Sequence, residues 1–369
     1  MTQTVDQTVD TPQTVETPLS RMTRANPQTA LWNDSSDPAQ LRAAIGWGAV
    51  GATCNPVIAL AVIKADLPKW GARIRELAAT HPTAREDEIG WIVVEELSVE
   101  AARLLEPAFE AHRGRNGRLS VQTDPRLHRD AAAIVEQAVH FSQLAPNIVV
   151  KIPVTKVGVE AIEEATFRGV SINATVSFTV PQAVAVAEAV ERGLDRRTAA
   201  GLPVDTMGPV CTIMGGRLDD WLKAVAAKQG VLLNPGVLDW PGVAALKRAY
   251  GIFQHRGYRT RMLSAAFRNH LQLTELVGGD LVISPPFDWQ QKINENGLDL
   301  PRRIDEPVDA AIIDELTRRL PEFSRAYEPD GMTPEEFETF GATRRTLRQF
   351  LDANNQLEAL VRDLLIPAP

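Results

Sequence analysis

Little in this chain can bind a soft metal or form a covalent cross-link. Only two cysteines occur, Cys54 and Cys211, and both lie in apolar runs. They read as buried thiols of a reducing compartment, which excludes a disulfide framework. The six histidines form no helical i, i+4 pair and no cluster with the cysteines, so no metal site is expected. No apolar stretch reaches the length of a membrane span. The N-terminus lacks the basic-then-apolar pattern of a signal peptide, so a cytoplasmic location is expected. There is no block of lysine and arginine, and the net charge of −8 argues against a nucleic-acid partner. One dinucleotide-like fingerprint occurs, Gly46-Trp47-Gly48-Ala49-Val50-Gly51. It follows a helical segment and precedes a strand, the reverse of what pyrophosphate binding needs, and no cofactor is expected.

What is present is an ordinary soluble composition, 44% hydrophobic and 23% charged, in 369 residues. That length suits one large domain or two of common size. Residues 1–28 repeat Thr-Val-Asp and Thr-Val-Glu with no periodic apolar face, and read as a disordered tail. From residue 29 short apolar runs alternate with helical patterns. Strands are expected at 29–32, 49–54, 119–121, 148–152, 170–176, 210–214, 261–265 and 281–284. Helices are expected between them, including a helical stretch over 67–113 and a short one over 269–277. Asp37-Pro38 and Asn55-Pro56 carry helix-start chemistry. Eight strand-then-helix units predict an α/β fold, a (β/α)8 TIM barrel over 29–300 with extra helices. An open doubly wound sheet is the alternative. Residues 301–369 carry no strand signal and are expected to be helices packing across the barrel or its mouth, the longest beginning near Thr333-Pro334-Glu335-Glu336.

Lys151 stands out within Asn147-Ile148-Val149-Val150-Lys151-Ile152-Pro153, a run otherwise suited to a fully buried strand. Burial lowers the pKa of an amine, and a neutral amine is a nucleophile toward carbonyl groups. The plainer reading is a lysine at a strand end, snorkelling to solvent or paired with a carboxylate. The barrel expectation bears on the choice, because chemistry in such folds sits at the C-terminal ends of the strands. Of Asp34, Asn55, Gln122, Lys151, Asn173, Thr175, Arg268 and Ser284, most fall at or next to such ends. One polar residue there usually caps a helix; several around one lysine suit carbonyl chemistry. Gly215-Gly216-Arg217 opens a helix after a strand, and Arg268 offers a second guanidinium, a pattern suited to phosphate. Two surface arginines in separate ion pairs are the plainer reading.

These residues resemble the transaldolase family, class I Schiff-base enzymes on a permuted barrel. Asn33-Asp34-Ser35-Ser36-Asp37 is similar to its first-strand motif, and Thr53-Cys54-Asn55-Pro56 to its T-x-N-P signature. Val149-Val150-Lys151-Ile152-Pro153-Val154-Thr155 resembles its lysine strand, and Ser171-Ile172-Asn173-Ala174-Thr175 its I-N-x-T strand. Gly216-Arg217-Leu218-Asp219-Asp220-Trp221 and Ala265-Ala266-Phe267-Arg268-Asn269 are similar to its two phosphate-arginine segments, and Ile283-Ser284-Pro285 to its closing strand. The resemblance implies that Lys151 forms an imine with a ketose phosphate and Asp34 moves the proton of the C4 hydroxyl. Thr175 and Gln122 would hold a proton-shuttling water. Asn55, Asn173, Ser284 and Met214 would line the substrate, with Arg217 and Arg268 on its phosphate. It implies transfer of a dihydroxyacetone unit between sugar phosphates such as sedoheptulose 7-phosphate or fructose 6-phosphate, as in the pentose phosphate pathway; a homodimer or a monomer is expected.

Four positions depart from the family pattern. Gln122 stands where most transaldolases have glutamate; the fructose-6-phosphate aldolase branch also has glutamine there. Met214 replaces an aromatic residue, and Ala266 and Val57 replace serines. A lyase that releases dihydroxyacetone, or a variant acting on a specialised sugar phosphate, is therefore the alternative. A sugar-phosphate-binding protein without catalysis is the reading from another class.

Overall fold

A computed structural model describes residues 16–367. It begins with helix α1 (Pro18–Ala25), which corrects the expected disordered tail over its last part. Thr17 and Ser20 form a capping box there, and Leu19 and Met22 enter the main core. The rest of the repeat segment, 1–15, lies outside the described residues.

Eight parallel strands follow: β1 (Ala30–Asn33), β2 (Ala49–Thr53), β3 (Arg118–Gln122), β4 (Ile148–Pro153), β5 (Ile172–Thr175), β6 (Val210–Met214), β7 (Arg261–Ala265) and β8 (Val282–Ile283). They pair in chain order and β8 returns to β1, so the sheet is a closed barrel and not an open one. The expected (β/α)8 fold is the one formed. Its inside is packed by Trp32, Val149, Val210, Leu263 and Val282. The Trp32 indole lies directly over Gly51, where a Cβ would overlap the ring, so glycine is required at that position.

Helix α2 (Pro38–Gly46) follows β1. After β2 come α3 (Pro56–Ala65), α4 (Leu67–Thr80) and α5 (Glu86–Ala111). The helical stretch expected over 67–113 is broken between α4 and α5. His81 caps one end, and the Glu88 carboxylate accepts from the Arg85 amide where the chain restarts. Helices α6 (Ala131–Ser142), α7 (Lys156–Phe167) and α8 (Val180–Ala199) follow β3, β4 and β5. Helix α9 (Gly215–Gln229) follows β6, and α10 (Pro241–Arg256) leads to β7. Asp37, Asn55, Thr155 and Thr179 each accept hydrogen bonds from first-turn amides, so the sequence itself sets where these helices start.

After β7 only one helical turn forms, α11 (Leu271–Thr274), shorter than the expected 269–277. The Gln272 carboxamide accepts from the Arg268 and Asn269 amides, which bends the chain instead of extending a helix. Helix α12 (Phe287–Glu295) follows β8. The C-terminal segment holds α13 (Ala310–Arg319), α14 (Pro321–Tyr327) and α15 (Gly341–Leu365). The helix expected to begin near Thr333 is only a 3-10 turn, Pro334–Thr339. Phe340 then turns extended, with Phe337 and Phe340 both buried, and α15 starts afresh. Helix α15 packs on α9 at one end and on α3, α4 and α5 at the other. It also touches the turn Pro125–Leu127 after β3, so it crosses the C-terminal face of the barrel.

Candidate active site

Register brings the polar strand ends to one level. Gln122 lies opposite Lys151, Lys151 opposite Asn173, and Pro153 opposite Thr175. The Asn173 carboxamide donates to Ser120 Oγ (3.0 Å) and accepts from Thr212 Oγ1 (2.8 Å), which ties β3, β5 and β6 together inside the barrel. Its rotamer is thereby fixed beside Lys151. Thr175 Oγ1 faces the Met214 sulfur at 4.0 Å. Immediately after Thr175, Val176 adopts φ +53, a strained conformation for a β-branched residue. Ala266, directly after β7, adopts φ +63. Both kinks stand at the mouth, where such strain commonly marks functional sites.

The Lys151 side chain is almost sealed, 6% exposed. Burial holds its amine below the ordinary lysine value; the Asp34 and Cys54 charges oppose that shift and Arg217 adds to it. Snorkelling to solvent is therefore not what Lys151 does. Asp34 is half-buried, and its carboxylate accepts a hydrogen bond from Thr53 Oγ1. The Thr53 and Ser284 hydroxyls lie 3.4 Å apart, so β1, β2 and β8 converge on this carboxylate. Asn55 caps α3, its Oδ1 accepting from the Val57 and Ile58 amides at 2.9 and 3.1 Å. That leaves its NH2 as the group not used by the cap.

Gln122 is 2% exposed, and neither end of its carboxamide has a hydrogen-bond partner. The Trp91 indole nitrogen is also buried and unpartnered. Both line a narrow cleft with Asn55, Asn354 and Leu357, under the far end of α15. An unpaired buried amide costs about 1–3 kcal/mol, and such groups are commonly kept for a ligand or an ordered water.

At the other end of α15 is a cavity of about 440 Å³ lined by Arg217, Asp220, Lys223, Arg268, Arg345 and Gln349, among others. A side chain at Gly216 would overlap the Ala266 carbonyl, so glycine there lets the Arg217 turn approach the Arg268 loop. Arg217 donates to Thr346 Oγ1 (3.1 Å) and Gln349 Oε1 (2.6 Å) and stacks over Phe350. Burial, with Arg268 nearby, pushes its guanidinium down to about 10. Arg268 pairs with Asp220 at 2.7 Å. Behind it, Gln272 donates to Asp219 Oδ2 (2.5 Å), and burial pushes that carboxyl well above the ordinary carboxylate range.

All ten residues singled out from sequence thus lie at this end of the barrel. Thr53 carries the Asp34 hydrogen bond, although in the sequence only its place in a motif marks it. Arg345, Thr346, Gln349 and Asn354 had no sequence signal. They sit on one amphipathic helix far downstream, and only its crossing of the mouth gives them a role. Among the described residues no helix is long and apolar enough to cross a membrane, and no group of three His, Cys, Asp or Glu could hold a metal ion.

Fold and site together define a (β/α)8 protein with its polar cluster at the C-terminal mouth, where barrel enzymes carry out their chemistry. Residues 31–357 match the family described as Transaldolase/Fructose-6-phosphate aldolase, and the chain belongs to it. Similar relatives include "Transaldolase 1" of Streptomyces avermitilis, 32% identical over 183 residues, 49% of this chain and 48% of that one. "Transaldolase" of Kocuria rhizophila is 31% identical over 56% of this chain and 55% of its own. "Transaldolase" of Chlamydia pneumoniae is 28% identical over 69% and 70% respectively. The chain spans about half the length of the curated relatives it matches first.

Proposed function

We propose that this protein transfers a dihydroxyacetone unit from a ketose phosphate to an aldose phosphate through a Schiff base on Lys151. The observation that carries this is the sealed Lys151 amine, depressed by burial and near enough to Asp34 to feel its charge. A depressed amine is neutral more often at cellular pH and attacks the C2 carbonyl, with loss of water, to give an iminium. Asp34 accepts the C4 hydroxyl proton. The C3–C4 bond breaks, its electron pair enters the iminium to leave an enamine, and the aldehyde departs. The enamine then attacks an acceptor aldehyde, whose oxygen takes the proton back from Asp34. Hydrolysis of the new imine frees Lys151. Asn55, Asn173 and Ser284 contact substrate hydroxyls. Met214 packs against Thr175, and Arg217 and Arg268 hold the phosphate. The substrates suit cytoplasmic pentose phosphate metabolism.

The test is borohydride reduction with fructose 6-phosphate followed by mass spectrometry of the lysine adduct. An adduct on Lys151 supports the reading; its absence leaves only sugar-phosphate binding. Gln122 favours a second reading, a lyase that releases dihydroxyacetone, because glutamine orients water but cannot ionise. Free dihydroxyacetone from fructose 6-phosphate without an acceptor, undiminished when one is added, would select it.

A further inference from the structure

The mouth cavity has more cations than the two expected from sequence. Arg217, Arg268, Lys223 and Arg345 line it, with Asp220 as the one carboxylate of the lining. Their charges are not equally available. Arg268 is compensated by Asp220 at 2.7 Å, and Lys223 by Asp239 at 2.6 Å. Among the described residues, no carboxylate lies within ion-pair distance of Arg217 or Arg345. Arg217 is held by two neutral groups, Thr346 and Gln349. Arg345 extends over the Trp221 ring, 6.0 Å from its centroid. The cavity therefore keeps two guanidinium groups with no ion-pair partner, one from the barrel and one from α15. A phosphate monoester carries about −1.5 to −2 at neutral pH, which matches that surplus.

Building on the sugar-phosphate reading above, we propose that Arg345 is the specificity-determining partner of Arg217 for the substrate's phosphate. Arg268, which Asp220 also contacts at 2.7 Å, completes the grip from the barrel side. Guanidinium groups suit this task, since each presents paired donors to phosphate oxygens. The arrangement assigns α15 a role in recognition. Arg345, Thr346 and Gln349 lie on one stretch of that helix, so the phosphate is gripped between the barrel and the helix that crosses its mouth.

The experiment measures binding of inorganic phosphate by calorimetry to the full chain, to Arg345→Gln and to Arg344→Gln. Arg344 is an exposed neighbour that does not line the cavity. In parallel, kcat/KM is compared for a phosphorylated and an unphosphorylated ketose. Arg345→Gln should weaken phosphate binding at least tenfold and lower the phosphorylated-to-unphosphorylated ratio by a similar factor, while Arg344→Gln stays within about twofold of wild type. Equal affinity in wild type and Arg345→Gln overturns the proposal, as does an equal loss in both variants, which would be a general field effect. Phosphate binding that depends on Arg345, with no borohydride adduct on Lys151, would sink the catalytic reading and leave this one standing.

Discussion

Gln122 and Lys151 stand directly opposite each other in the β3–β4 ladder, the glutamine with both amide ends unpartnered and the lysine sealed beside it. A group that cannot ionise thus faces the amine on which the proposed chemistry depends. Replacing Gln122 with glutamate would place an ionisable group there. A neighbouring carboxylate favours the ammonium form of lysine. Gln122→Glu should therefore raise the pH at which imine trapping reaches half its plateau, and raise the ratio of transfer to dihydroxyacetone release. Product analysis with and without an acceptor aldehyde checks it; an unaltered ratio would remove Gln122 from the account.

Lys151 gives a pH prediction of definite sign. Its folded-state amine is depressed by burial, so the folded protein binds its proton less readily than the unfolded chain does. Wild type carries the full penalty below the folded-state value, and the penalty disappears as pH rises to the ordinary lysine range near about 10.4. Lys151→Met should abolish turnover and stabilise the fold near neutral pH, where the wild-type amine carries that penalty. The gain should shrink as pH approaches about 10. Melting curves of both proteins across that range test the sign; a gain that grew with pH would contradict it. In wild type, imine trapping should rise with pH and level off before that of an exposed lysine.

Thr53 donates to the Asp34 carboxylate from the end of β2. Hydrogen bonds to a charged acceptor contribute about 1.5–3 kcal/mol, a factor of about 10–100. Thr53→Val, nearly isosteric, should lower kcat by about tenfold with little change in KM, and Thr53→Ser should restore most of it. Steady-state kinetics with fructose 6-phosphate and an acceptor separates this from a packing defect, because a lost methyl would be felt by serine and not by valine.

Gln272 links the Asp219 carboxyl to the Arg268 and Asn269 amides. Gln272→Ala should cost about 1–3 kcal/mol, since it leaves buried polar groups unpaired. Denaturant unfolding measures that cost. The variant should also raise KM for phosphorylated substrates more than for unphosphorylated ones, as the Arg268 loop loses its anchor. Equal effects on both substrates would make Gln272 a purely structural residue.

Local chemistry was enough to read the barrel. Val149-Val150 and Ile152 around Lys151, and the cap residues Asp37, Asn55 and Thr155, act within a few positions of themselves. Strand and helix alternation follows from that short-range code. The candidates at the strand ends were legible for the same reason, because every strand in such a fold delivers its last residues to one face. The tertiary structure alone decided the depth of each group and its neighbours. Closure of β8 onto β1 put Ser284 and Thr53 beside Asp34, and ladder register put Gln122 across from Lys151. Folding α15 back over the mouth brought Arg345, Thr346 and Gln349 to Arg217 across more than a hundred residues of chain. No local pattern encodes such contacts; they arise when an amphipathic helix buries its apolar face on distant helices, and with them arises the burial that sets the Lys151 amine apart.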